Sequence, residues 1–232
     1  MLSQHWKNNI LQRINRLCHL CERPLTASES HWCQYCAESF TGVTRCLRCG
    51  LPIDKGSDVC AQCLLTPPNW HKLYCLGDYQ YPLNQYIHRI KHKSEFHLVQ
   101  PLAELFCHRH PTLEPPELFT FVPLHWRRFL LRGFNQSEQI AAYFAHRYDR
   151  PIESIFRKTR HTQPQQQLTK QARKMNLKAS FKLIKPLKSP HIAIVDDVVT
   201  TGSTMSLLCE ILLEYGVKRI DIYCICRTSA GN

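Results

Sequence analysis

Four Cys-x-x-Cys pairs crowd into one short stretch of this sequence: Cys18/Cys21, Cys33/Cys36, Cys46/Cys49 and Cys60/Cys63. Such a turn aims two thiols at one point, and two turns brought together make the tetrahedral four-sulfur cage that zinc prefers. Eight thiols provide for two structural zinc ions, with protein filling every coordination position and none left open for catalysis. The simplest arrangement is sequential, with Cys18, Cys21, Cys33 and Cys36 on one ion and Cys46, Cys49, Cys60 and Cys63 on the other. An interleaved pairing uses the same residues. Disulfides are disfavoured by the lack of a secretory signal, and a redox pair calls for one such motif beside a βαβ unit rather than four in tandem. A segment this small cannot stabilise itself by core burial alone, so metal would supply much of its folding free energy.

The second constellation is IAIVDDVVTTGSTM, residues 192–205. Its apolar run suits a strand buried on both faces, with Asp196 and Asp197 at the carboxyl end. Thr200, Thr201, Gly202, Ser203 and Thr204 then form a turn rich in hydroxyls and glycine that opens a helix. At such a strand end, exposed N–H groups and the positive end of the helix make a phosphate cradle. A sugar phosphate fits both halves: phosphate on residues 200–204, ribose hydroxyls donating to Asp196 and Asp197, and Gly202 letting the backbone approach closely. The competing reading is an ordinary βα turn with an incidental acid pair, which so many matching positions disfavour.

Positive charge gathers near this site. The strand-like FTF is followed by Pro123, Leu124 and His125, then by Arg127, Arg128 and Arg132. Between Ser154 and Val195 stand ten basic residues and no acidic one, Lys158 and Arg160 among them. A uniformly positive segment suits a polyanion, although charge runs are more often solvated surface.

These residues need a scaffold. The chain has 232 residues, enough for one α/β core and a small accessory module. After Cys63 the composition shifts, and Pro67–Pro68 reads as an extended linker. The expected domains are therefore a double zinc ribbon over 1–66 and an α/β domain over 67–232. In the latter, strand-like runs (LYCLGDYQY as strand or hairpin, FTFVPL, IESIF, HIAIV, VKRIDIYCIC) alternate with helical patterns (YIHRIKHK, LVQPLAELFCHRH, SEQIAAYFAHRY, STMSLLCEILLEYG). That alternation marks a parallel sheet covered by helices. The net charge is +12, with seven basic and five acidic side chains up to residue 66 and twenty-three and thirteen beyond it. The excess thus belongs to the α/β part and points to a phosphate-bearing partner. Cys75, Cys107, Cys209, Cys224 and Cys226 read as small buried hydrophobes. His88 and His92 would share a helix face but lack a carboxylate at metal-ligand spacing. No apolar run approaches the roughly 18 residues that cross a bilayer, and the first residues lack a signal-peptide core, so a cytoplasmic protein is expected.

IAIVDDVVTTGST resembles the phosphoribosyl pyrophosphate signature of type I phosphoribosyltransferases. By that resemblance Asp196 and Asp197 bind ribose hydroxyls, Thr200 to Thr204 hold the 5′-phosphate, and magnesium bridges pyrophosphate and ribose oxygens. Pro123 to Trp126 fall where that fold carries its pyrophosphate loop, and Lys158 and Arg160 begin the stretch where it carries a closing lid. Taken with the four Cys-x-x-Cys pairs, PPNW, VPL, LLRGFNQSE and KTRHTQPQ, the chain over nearly its whole length resembles the ComF/GntX family. In that family a zinc ribbon precedes a phosphoribosyltransferase-like domain. The resemblance implies a competence protein that handles imported single-stranded DNA at the cytoplasmic face of the membrane, peripheral to it, with a competence helicase or the membrane DNA channel as partner. Trp32, Tyr35 and Trp126 are candidate base-stacking residues, though each such residue is more often a packing residue. The alternative is a working phosphoribosyltransferase that displaces pyrophosphate with a nitrogen nucleophile. Neither an acceptor pocket nor a general base is legible in the sequence, so turnover stays open.

Overall fold

A computed structural model describes residues 16–40, 43–54, 56–159 and 180–228. The described residues up to 40 form one compact unit, and those from 43 onward form another.

Each unit contains one copy of the same ribbon. In the first, Leu17 bridges Pro24, the Cys18 N–H donates to the Arg23 carbonyl (2.8 Å), and the Glu22 N–H donates back to the Cys18 carbonyl (2.9 Å). In the second, Arg45 bridges Pro52, the Cys46 N–H donates to Leu51 (2.9 Å), and the Gly50 N–H donates to Cys46 (2.9 Å). Glu22 and Gly50 occupy the same turn position, both left-handed, at φ 58° and 73°. Each ribbon closes on a short helix that starts after its third cysteine, α1 (Gln34–Ser39) and α2 (Ala61–Leu65).

The second unit continues into an α/β domain. Its strands β1 (Lys72–Asp78), β2 (Leu118–Phe121), β5 (His191–Val199) and β6 (Arg219–Arg227) form a parallel sheet in the order β1-β6-β5-β2. Side chains alternate across it as the pleat demands. On one face Leu73, Cys75, Ile192, Ile194, Ile220, Ile222 and Cys224 pack against helix α7 (Ser203–Glu214) through Met205, Leu208, Cys209 and Leu212. On the other face Tyr74, Phe119 and Tyr223 meet Phe106 of α4 (Val99–Arg109) and Phe144 of α6 (Gln136–Tyr148), or the ring of His110 just after α4. The parallel sheet with helices on both faces is the architecture expected from the alternating pattern.

The remaining elements are α3 (Leu83–Lys93), which follows β1, α5 (Trp126–Arg132), and the antiparallel pair β3 (Phe156–Lys158) and β4 (Phe181–Leu183). Strand-like IESIF adds a single parallel bridge, Ile152 to Phe119, before turning into β3. β4, inside the basic stretch, carried no alternation long enough to read. α5 was also not anticipated. Its sequence WRRFLLR has too little periodicity, and the helix depends on its ends: His125 accepts from the Arg127 N–H (3.3 Å) and Gly133 closes it at φ 76°. No described helix is long and apolar enough to cross a membrane.

Candidate functional site

Because the four sheet strands run parallel, their carboxyl ends share one rim, where ligands bind in open α/β sheets. The rim carries most of the residues singled out from sequence. β5 delivers Asp196, half-buried, and Asp197, buried. Asp196 Oδ1 accepts from Ser137 Oγ (2.7 Å) and from the Asp197 N–H (2.9 Å). Burial first, and the neighbouring Asp197 charge second, push the Asp196 carboxyl up to about 8. Asp197 Oδ2 lies 2.5 Å from Lys91 Nζ of α3. Lys91 was missed from sequence: α3 was expected as a basic helix, but only its paired histidines, now with ring centroids 4.6 Å apart, stood out. Ser137 was also missed. It is delivered by the first turn of α6, capped by Asn135 Oδ1, which accepts from the Ser137 N–H (3.1 Å).

Beyond β5, Thr200, Thr201 and Ser203 are exposed, Thr204 is half-buried and Gly202 is buried. Thr201 Oγ1 and Ser203 Oγ are 2.7 Å apart. Gly202 stands at the start of α7 at φ 78° and offers no side-chain cap; Thr201 Oγ1 accepts from the Ser203 N–H (3.3 Å), and the positive end of α7 follows the carboxyl end of β5. After β2, Pro123 and His125 are buried and Leu124 is half-buried; Asn135 Nδ2 ties the turn by donating to the Val122 carbonyl (3.0 Å). Arg127 and Arg128 are exposed, and Arg132 Nη1 is 3.4 Å from Gln136 Oε1. Lys158 in β3 lies over the Phe181 ring at 5.2 Å. Its ammonium is lowered first by burial and then by Arg128, with Asp196 opposing, so these three charges share one neighbourhood. Arg160 and most of the basic stretch lie outside the described residues. Tyr79, just past the end of β1, and Asn84, Gln85, His88, Arg89 and Lys93 of α3 line a cavity of about 520 Å³.

The eight thiols gather in sequence order, Cys18, Cys21, Cys33 and Cys36 in one group and Cys46, Cys49, Cys60 and Cys63 in the other, with all sulfurs of a group within 4.8 Å of one another. Cys21 and Cys33 sulfurs are 3.7 Å apart and Cys49 and Cys60 sulfurs 3.8 Å apart. That is the edge of a tetrahedron with bonds of about 2.3 Å and far too long for a disulfide. Main-chain N–H groups reach the sulfurs, Cys33 to Cys18 (3.4 Å) and Cys60 to Cys46 (3.3 Å). Burial acts to raise the Cys18 and Cys46 thiols, yet such bonds outweigh it and bring them down to about 6 and about 7. Cys36 and Cys63 are pushed far up, first by burial and then by their sister thiols. Four converging sulfurs with this electrostatic strain fit a divalent cation, and both groups could hold zinc. Cys75, Cys209, Cys224 and Cys226 are buried in the core and Cys107 half-buried.

The parallel sheet, the twin acids and the hydroxyl loop define a phosphoribosyltransferase-type domain, and the phosphoribosyl transferase domain family matches residues 132–232. Among curated proteins, the chain is 37% identical over 222 residues to the DNA utilization protein YhgH of Salmonella typhimurium, covering 91% of this chain and 97% of that one. It is 36% identical over 225 residues to the protein of the same name from Escherichia coli, with the same coverage. To Competence protein F of Haemophilus influenzae it is 30% identical over 224 residues, 92% of this chain and 98% of that protein. The chain belongs to the ComF/GntX family.

Proposed function

We propose that this protein handles imported single-stranded DNA during DNA utilisation and binds phosphoribosyl pyrophosphate, with magnesium, at the rim of its sheet. The observation that carries the ligand is the Asp196–Asp197 pair at the end of β5 beside the hydroxyl loop and the first amides of α7. The carboxylates accept from the ribose hydroxyls, residues 200–204 take the 5′-phosphate, and Lys158 with Arg127, Arg128 and Arg132 face the pyrophosphate. Lys91 neutralises Asp197 before the ligand's own cation arrives. The DNA reading draws on the names of the relatives and on the +12 charge. Exposed Trp126 and Tyr35 offer stacking faces. Trp32 does not, being buried with its ring 5.1 Å from Phe40. We keep 1–66 as the zinc-ribbon part and 67–232 as the ligand-binding part, acting in the cytoplasm and peripherally at the membrane, with a helicase or channel as partner.

Turnover is the second reading, and the cavity between the end of β1 and α3 favours it. Asn84 and Gln85 carry amides that could read a base edge, and the Tyr79 ring a face on which to stack it. In that reading a nitrogen nucleophile bonds to C1 of the ribose as the C1–O bond to pyrophosphate breaks. The nucleophile's proton passes to solvent or a nearby base, and pyrophosphate leaves with the bonding pair.

Calorimetry with phosphoribosyl pyrophosphate and magnesium tests the first reading: the wild type binds, and Asp196→Asn with Asp197→Asn loses binding while keeping its fold. Equal heats from both proteins would show the pocket is misassigned. Pyrophosphate release across a panel of bases tests turnover, and silence across the panel removes it.

A further inference from the structure

The ribbon of the second unit is hydrogen-bonded through its backbone to residues that reach the rim. Three consecutive carbonyls of its first knuckle, at Leu47, Arg48 and Cys49, each accept a hydrogen bond from the α/β domain. The Leu73 N–H of β1 donates to Leu47 (2.9 Å), Trp70 Nε1 to Arg48 (2.5 Å), and Arg227 Nε to Cys49 (2.8 Å).

Two of these donors also hold the phosphate loop. Arg227 ends β6 and is buried. Its Nη1 donates to the carbonyls of Val199 (3.1 Å), Thr228 (2.7 Å) and Thr200, the first residue of the loop. One guanidinium therefore spans a metal-ligating residue and the loop. Trp70, also buried, lays its indole against Gly202: a methyl group there would stand 3.1 Å from its Cη2 atom. Next to it, Asn69 Nδ2 lies 3.3 Å from Ser206 Oγ in the first turn of α7. The Pro67–Pro68 stretch that read as a linker thus leads directly into residues that brace the loop.

We propose that Arg227 and Trp70 are positioning residues through which the metal-held knuckle Cys46–Cys49 fixes the phosphate loop Thr200–Thr204. Cys46 and Cys49 converge on one centre, and this convergence orients the intervening carbonyls. A knuckle free to relax would take those acceptors away from a buried guanidinium and a buried indole N–H. Neither can stay unpaired cheaply. The arginine and tryptophan must then shift, and the Thr200 carbonyl and Gly202 shift with them. The inference rests on the reading of residues 200–204 as the ligand loop.

The test compares four full-length proteins by zinc content, amide hydrogen exchange and calorimetry with phosphoribosyl pyrophosphate plus magnesium: wild type, Cys49→Ser with Cys60→Ser, Arg227→Met, and Trp70→Phe. The double cysteine variant should carry one zinc fewer. Its amides at 200–206 should exchange at least tenfold faster and its affinity fall at least tenfold, while residues 192–195 of β5 stay protected. Arg227→Met and Trp70→Phe should keep both zincs and still loosen the loop and weaken binding, which a knuckle that merely stabilises the fold would not produce. Unchanged loop exchange in a folded double variant, or in both Arg227→Met and Trp70→Phe, overturns the proposal. If the cysteine variant does not fold, the other two decide. Wild type that binds no ligand, yet whose loop loosens when this zinc is lost, would sink the ligand assignment and leave the coupling standing.

Discussion

Asp196 sits between two opposing demands. Burial and the Asp197 carboxylate hold its proton up to about 8, whereas a bound ribose or cation favours the ionised form. The folded pKa lies above the unfolded one near 3.9. The stability contributed by the protonated form is thus fully present below about pH 4 and drains away as pH rises through about 8. Asp196→Asn, which cannot ionise, should therefore lose less melting temperature than wild type between about pH 5 and pH 8.5. For the wild type, ligand binding near pH 7 should release a proton and tighten as pH rises from 6 to 8, by up to about tenfold per unit. Buffers of different ionisation enthalpy in the calorimeter check this. Lys91 helps hold the Asp196 pKa down, while Lys158 and Ser137 face Asp196 from β3 and α6, so Lys91→Met should raise it further and extend the loss of stability toward alkaline pH. Asp196, Asp197 and the loop were legible because their chemistry is contiguous in sequence. Lys91, Ser137, Trp70 and Arg227 were not, because each comes from a different element and only the fold brings it to the rim.

At the scale of elements, the long periodic segments read well: α4, α6, α7, β5 and β6 fall where the apolar spacing put them. The failures were short elements fixed by their ends, α5 and β4. The double ribbon was legible from the four Cys-x-x-Cys pairs, but its shared left-handed turn was not, because that position holds different residues, Glu22 and Gly50. In the second copy a Cβ at Gly50 would lie 2.4 Å from Leu73 Cδ2, a buried side chain, and the left-handed φ adds backbone strain. Gly50→Ala should cost about 1–3 kcal/mol by thermal or denaturant unfolding. Glu22→Gly should relieve the left-handed backbone of the first copy and raise its resistance to unfolding by up to about 1 kcal/mol. Chelator titration followed by absorbance of a zinc indicator should recover two ions per chain. The second copy, bonded to the α/β domain through three carbonyls, should release its ion more slowly than the first.

At the scale of the whole molecule, the proposed DNA reading rests on net charge. With +12 overall and most of the excess beyond residue 66, affinity for single-stranded DNA should come mainly from phosphate neutralisation. For about four phosphate contacts, binding followed by fluorescence anisotropy should weaken roughly fiftyfold between about 50 and 200 mM salt. Affinity indifferent to salt would refute the electrostatic account. Trp126 is 56% exposed, with the Arg127 guanidinium 5.3 Å from its ring, and Trp126→Ala should lower affinity about fivefold or more without changing the salt slope. Composition gave only the net charge; the exposure of α5, with Phe129, Leu130 and Leu131 beside its arginines, became visible only in the fold.

The hydrogen bonds between knuckle and rim have a consequence for the living cell. If the proposed coupling holds, a chain made where the trace element runs short would keep its sheet and its charge yet lose its grip on the activated pentose, so nutritional starvation would silence the sugar pocket before it removed the protein.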